Sequence, residues 1–209
     1  MADLQTTRIS LHAVAELLIA GPQYAAHGDI RLRVLPGGFG SVVGPDVRVE
    51  GSRLQHEWNS YALDGRTVAD VASEAGIEAR GLDDVYSGGI GLTVDHVLSV
   101  DPDAAAEIAD GFRRGNDALV AIAAGRDDVE LVLWPEHFDV GISMDEVNYG
   151  VSPGDSFLEV PYAYVGPWQP DAFSGAFWNA PFGSARPVSE LDDIEAYFAE
   201  GRSLTQSPT

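Results

Sequence analysis

The stretch from Asp101 to Ala124 constrains this chain more than any other. Asp101 sits where a helix N-cap does, Pro102 occupies the first helical position, and Gly125 marks the end. Ala105, Ile108, Ala109, Phe112, Leu119, Ile122 and Ala123 fall on one stripe, while Glu107, Asp110, Arg113, Arg114 and Asp117 point elsewhere. A helix this long with a single apolar stripe needs a broad partner, which a sheet supplies.

The remaining patterns supply that sheet. Ile30–Val34 alternates apolar and charged residues, Pro36-Gly37-Gly38-Phe39-Gly40 reads as its end, and Val47–Val49 and Arg53–Gln55 flank Gly51-Ser52 as a hairpin. Val129–Trp134 reads as a buried strand, and Phe138-Val140-Ile142 alternates with His137-Asp139-Gly141-Ser143 on the next. Shorter helices are predicted from Thr7 or Ser10 to about Ala20 with Gly21-Pro22 as a stop, from Thr67 to Gly76, and from Val188 to Gly201. Helices and strands do not alternate strictly and no repeat is visible, so the expectation is α+β. It is one domain over residues 1–203, a mostly antiparallel sheet packed by one long helix and two or three shorter ones, with 204–209 as a frayed tail.

Composition removes whole function classes. All 12 basic residues are arginine, so Schiff-base enzymes, pyridoxal-phosphate anchoring, phosphate-loop NTPases and kinase chemistry are excluded. There is no cysteine, hence no thiol nucleophile, thiolate zinc site, iron–sulfur cluster or disulfide, which suits a reducing cytoplasm. The net charge of −21 divides as −6 over residues 1–100 and −15 over 101–209. Such a field disfavours nucleic acid and anionic membrane and favours neutral or cationic partners. The apolar run Leu11–Ala20 is interrupted by His12 and Glu16 and lacks a basic flank, so neither a signal peptide nor a membrane span is expected.

Gly150-Val151-Ser152-Pro153-Gly154 matches the G-x-S-x-G pattern of a nucleophile elbow. Chemistry argues against it. The residue after that serine donates its N–H to the oxyanion hole, and Pro153 has none. A turn explains the motif. Gly37–Gly40 and Gly88–Gly91 are poor nucleotide loops, since neither leads into a capped helix.

Two constellations remain as candidate sites. Period-two spacing puts His137 and Asp139 on one strand face, and helical spacing puts His12 and Glu16 on one side of the first helix. His12, Glu16, His137 and Asp139 together would suit a divalent metal, and a hydrogen-bonded His-Asp pair on an exposed sheet face serves equally for the latter two. The second constellation is aromatic: Phe157, Tyr162, Tyr164, Trp168, Phe173, Phe177, Trp178 and Phe182 crowd one segment punctuated by prolines. Such rings either wall a pocket for an apolar or cationic ligand or cover the sheet as core.

At these residues the chain resembles a family. Ser10–Glu16, Leu35–Gly40, Leu133–Asp139, Asn148–Asp155, Pro161-Tyr162 with Tyr164–Trp168, and Phe177–Pro181 are similar to segments of a conserved family of uncharacterised actinobacterial proteins. The resemblance covers nearly the whole chain. It implies a GC-rich bacterial source and a cytoplasmic single domain, and it carries no activity. The expectation for function is a small-molecule-binding protein whose ligand meets Trp134, His137, Asp139, Tyr149, Tyr164, Trp168 and Trp178. The alternatives are a metal-dependent hydrolase or isomerase using the His/Asp/Glu set, and a protein-interaction module.

Overall fold

The computed structural model describes residues 3–206. These fall into two compact units, residues 3–110 with 133–138 and residues 111–132 with 139–206. Each combines helices with an antiparallel sheet, and the class is α+β.

In the first unit the Asp3 carboxylate accepts the Thr6 N–H at 2.8 Å and starts α1 (Leu4–Val14). Gly21-Pro22 does not stop this helix. The chain widens into a π-helical stretch (Ala15–Ala20), continues as α2 (Gly21–His27) and ends at left-handed Gly28. In the π register Pro22 would face the Leu17 carbonyl, but it has no N–H to offer. Arg80 supplies the missing donor, its N–H meeting that carbonyl at 3.0 Å. A Cβ on Gly21 would lie 1.9 Å from the Arg80 carbonyl oxygen. The Gly-Pro pair is therefore a docking point for another segment and not a terminator.

The sheet of this unit contains β1 (Leu32–Leu35), β2 (Gly38–Ser41), β3 (Val47–Glu50), β4 (Arg53–His56), β5 (Asn59–Ala62) and, later in the chain, β6 (Val132–Trp134). Its order is β6-β1-β2-β3-β4-β5, every pairing antiparallel. The hairpin at Gly51-Ser52 forms as expected, whereas the break after β1 is only Pro36-Gly37, and Phe39 is a buried β2 residue. Thr67 and Asp70 form a reciprocal capping box on α3 (Val68–Ala75), which Gly76 closes in left-handed conformation. The long helix is α4 (Pro102–Ile122), with the Asp101 carboxylate accepting the Asp103 and Ala104 N–H groups at 3.0 and 3.1 Å. Its residues through Asp110 belong to this unit.

The second unit takes the rest of α4 and the sheet β10-β9-β8-β7, again antiparallel: β7 (Asp139–Met144), β8 (Val147–Ser152), β9 (Tyr162–Pro167) and β10 (Ser184–Pro187). Gly115 of α4 lies so close to Val151 that a Cβ there would stand 2.7 Å away. The last helix, α5 (Ile194–Gln206), runs past the expected frayed boundary; residues 207–209 lie outside the described residues. Buried Phe198 of α5 meets the Tyr149 ring edge-on at 5.9 Å. The helices thus cover the face made by Val140, Ile142, Tyr149, Val151 and Val165, which leaves the opposite face to different chemistry.

One buried side chain ties the first unit's helix to its sheet. Gln23 is wholly buried, and its amide nitrogen donates to the Asp29 and Arg31 carbonyls, both at 2.8 Å. Its amide oxygen accepts the Val42 and Val43 N–H groups at 2.7 and 3.1 Å. Gln23→Leu keeps the bulk and orphans four backbone groups. We expect it to cost about 3 kcal/mol or more, read as a lower urea midpoint at unchanged slope.

Candidate functional site

The face of the second sheet turned away from α4 and α5 is built from one register. Tyr164 pairs with Gly150 across β9 and β8, and Gly150 pairs with Gly141 across β8 and β7, so all three point to the same side. Asp139 lies two residues before Gly141 on that side, Ser152 two after Gly150, and Tyr162 two before Tyr164. The Tyr164 ring lies over Gly150, where a Cβ would stand 2.4 Å from the phenolic oxygen. From there its hydroxyl donates to the Asp139 carboxylate. Burial first, then the negative charge of Asp139 and that hydrogen bond, push the Tyr164 phenol well above its ordinary pKa, so it remains a donor.

The Gly-x-Ser-x-Gly segment is consumed by this arrangement. Gly150 makes room for Tyr164, and buried Ser152 accepts the Gly154 N–H at 3.2 Å inside a turn. Asp155 then organises the loop. One of its carboxylate oxygens accepts the Phe157 and Leu158 N–H groups at 2.7 and 3.1 Å, and the other accepts the Tyr162 hydroxyl at 2.6 Å. The Tyr162 phenol is raised by burial and then by the Asp155 hydrogen bond and charge.

Four rings close on one another above this face. Ring centres are 6.2 Å apart for Phe157–Tyr162, 6.3 Å for Tyr162–Tyr164, 6.5 Å for Tyr164–Phe182 and 5.0 Å for Phe182–Phe157. Neighbouring planes are tilted by 56–87°. Phe182 is presented by a tight turn in which Ala180 and Gly183 exchange two backbone hydrogen bonds of 3.0 Å. Phe157 is 42% exposed and Tyr162 buried, so the cluster runs from solvent to the sheet.

The other expected site residues go elsewhere. Trp168 is 62% exposed beyond the end of β9, its indole N–H donating to Asn148 at 3.3 Å. Tyr149 is on the helix-covered face. Trp178 packs against Phe173 and Phe177 at 5.0 and 4.9 Å. In the first unit, Trp134 ends β6 partly exposed. His137 is not on a strand, because the chain turns through residues 135–138 with Phe138 at φ 53° before β7 begins. Its exposed ring comes within 3.9 Å of the Glu136 carboxylate.

His12 and Glu16 find separate partners in the first unit. The His12 ring stacks on Phe138 at 5.2 Å with planes 12° apart, and its Nε2 donates to the Pro135 carbonyl at 2.6 Å. Burial lowers its pKa from 6.5 to about 4 against the pull of that carbonyl, with the positive fields of Arg8 and His137 adding to the drop. Glu16, almost wholly buried in the π-helical stretch, accepts the Ile90 N–H at 3.1 Å. Burial raises its pKa and that hydrogen bond opposes the rise. Gly88 and Gly89 lie against carboxylates, with Cβ positions 2.6 Å from Glu136 and Glu16 oxygens, so this loop is no anion cradle. Among the described residues, no three His, Asp or Glu side chains form a group suited to a metal ion. No helix among them is long and apolar enough to cross a membrane.

Sequence reasoning placed Tyr162 in the aromatic segment but missed Asp155 and the pairing of the two. The signal was present as Tyr162-x-Tyr164 opposite Gly150-x-Ser152, but reading it requires the β8–β9 register. Compared with protein-family models, curated proteins and solved structures, the chain matches none.

The depressed His12 pKa carries a pH signature. The folded state holds this ring neutral down to about pH 4, while the unfolded chain protonates it near 6.5, so stability is lost as pH falls through that window. Between pH 7 and 4.5 the loss should be about 2 to 3 kcal/mol in urea titrations. His12→Gln keeps a donor for Pro135 and should remove that part of the pH dependence.

Proposed function

We propose that the protein binds a small organic molecule at the ring cluster of the second unit. The observation that carries this reading is the closed circuit of Phe157, Tyr162, Tyr164 and Phe182, standing on a glycine-floored sheet face with its outer ring exposed. A cluster serving only as core would bury its largest ring surfaces, whereas this one leaves Phe157 at the surface on a loop held by Asp155. Rings fixed by buried hydrogen bonds lose little freedom when a ligand arrives. The phenols stay protonated, so they hold their carboxylates and add no charge of their own.

Binding alone accounts for these features. Asp139 and Asp155 accept hydrogen bonds from phenols too weakly acidic to give up their protons, which fits holding better than proton transfer. The reading also supports a protein that acts in water, with neutral or cationic partners in preference to nucleic acid, given its charge.

The test is ligand-observed saturation-transfer NMR on a fragment set of neutral, cationic and anionic compounds, run on the wild type and on Phe157→Ala. Phe157 is surface-exposed, so the variant should keep its circular dichroism spectrum and lose the signals of bound fragments. A set of hits indifferent to Phe157→Ala and to Phe182→Ala would place the ligand elsewhere and sink the reading.

A further inference from the structure

We propose that the open edge of β5 takes up an extended segment of a partner protein as a further strand, one with an uncharged middle and basic residues at its ends, and that Trp58 anchors it. In the first unit's sheet β5 has β4 on one side and no strand on the other. The Leu63 N–H donates to the Ser52 carbonyl at 3.2 Å, which fixes the phase of the ladder. Asn59 and Tyr61 therefore turn their backbone groups toward β4, and Ser60 and Ala62 turn theirs outward. Among the described residues nothing accepts from the Ser60 or Ala62 N–H. The Ser60 carbonyl meets the Arg53 guanidinium at 2.8 Å and keeps a second lone pair. Asn59, Ser60 and Ala62 are all exposed.

A bare edge invites pairing, and chains close one with proline, charge, a bulge or a covering group where nothing is meant to join. The second unit closes its own. The Asn179 carboxamide takes both backbone groups of Ala185 on β10, accepting the N–H and donating to the carbonyl at 2.9 Å each, as a neighbouring strand would, and Pro187 ends that strand. Apart from the Arg53 contact, β5 has no such device: Asn-Ser-Tyr-Ala holds neither charge nor proline and pairs with β4 without a bulge. The turn before it supplies an anchor. Glu57 and Trp58 join His56 to Asn59 with Glu57 at φ 54°, and neither is the glycine or asparagine that a two-residue turn favours. What the pair does is hold the indole at 100% exposure where the open edge begins. Tryptophan is among the residues that most often carry the binding energy of an interface.

Charge selects the occupant. Glu57 stands at one end of the edge and Asp64 just beyond the other, both exposed, in a chain of net charge −21. Arg53 lies at the middle, held on the Ser60 hydroxyl and carbonyl. A guest strand therefore needs cations at its ends and none between, and the cation at the first end gains the face of Trp58 as well. A second copy of this chain fits worse. Two-fold pairing of β5 with itself sets Glu57 of one copy near Asp64 of the other at both ends, and it joins two bodies of charge −21.

The experiment is an amide-resolved NMR titration of the intact protein with two sets of hexapeptides, drawn from Val, Ile, Thr and Tyr at the four middle positions. One set has Lys at both ends and the other Glu. The Lys-ended set should contain peptides that shift the Ser60 and Ala62 amides and slow their hydrogen exchange at least tenfold at saturation, and these should bind at least tenfold more tightly than their Glu-ended counterparts. Ala62→Pro removes an outward donor without touching the bonds to β4 and should weaken binding at least tenfold. Trp58→Ser alters a wholly exposed side chain, keeps the fold, and should weaken binding about tenfold. Failure of every Lys-ended peptide to shift these two amides overturns the proposal, and equal binding of the two sets overturns the basic partner. Binding that survives Trp58→Ser, and Ala62→Pro where that variant folds, puts the strand elsewhere and overturns the site. If the wild type dimerises in sedimentation and Trp58→Ser does not, the occupant is a second copy and the basic partner is again overturned.

Discussion

A carboxylate taken out of water needs donors, and on the second sheet that requirement organises everything around Asp139. The Tyr164 hydroxyl is a donor to it, reaching it across two strands. The phenol crosses only because Gly150 and Gly141 stand in register beneath it. Side chains there would lift the ring, and its hydroxyl would lose Asp139. The glycine column, the buried phenol and the acid are thus one device, and Asp155 repeats it one residue pair further along with Tyr162. The circuit of rings is what these two pairs leave on the outside.

The first unit answers the same physical demand differently. Glu16 sits in a widened helical turn and takes a backbone N–H from the glycine-rich loop above it, while the neighbouring break at Pro22 is satisfied by Arg80. Both contacts bring the segment from Arg80 to Ile90 down on the helix, and the lack of side chains at Gly21 and Gly89 permits the approach. A buried acid in this setting reads as a structural anchor: it fastens a loop without regular secondary structure to a helix that would otherwise end sooner.

What the sequence disclosed was local. Caps on α3 and α4, the hairpin at Gly51-Ser52 and the alternation from Asp139 to Met144 depend on residues near one another in the chain, and their chemistry is readable there. The departures depended on distant partners. Gly21-Pro22 looks like a stop until Arg80 fills the gap, and His137 looks like a strand residue until the positive φ of Phe138 turns the chain. The aromatic segment showed its density but not its grouping. Tyr162, Tyr164, Phe157 and Phe182 gather in one cluster, and Trp178 joins another with Phe173 and Phe177, because strand register and two short turns decide which rings meet. Asp155, an ordinary turn residue in the sequence, became legible only through the three donors it gathers.

The locked phenols also make two of the seven tyrosines chemically quiet. Nitration and iodination proceed through the phenolate, and Tyr162 and Tyr164 resist forming it because burial and a neighbouring acid oppose a second negative charge. The pair therefore forms an unreactive strip on β9, spared while reagents modify any tyrosine that can still ionise.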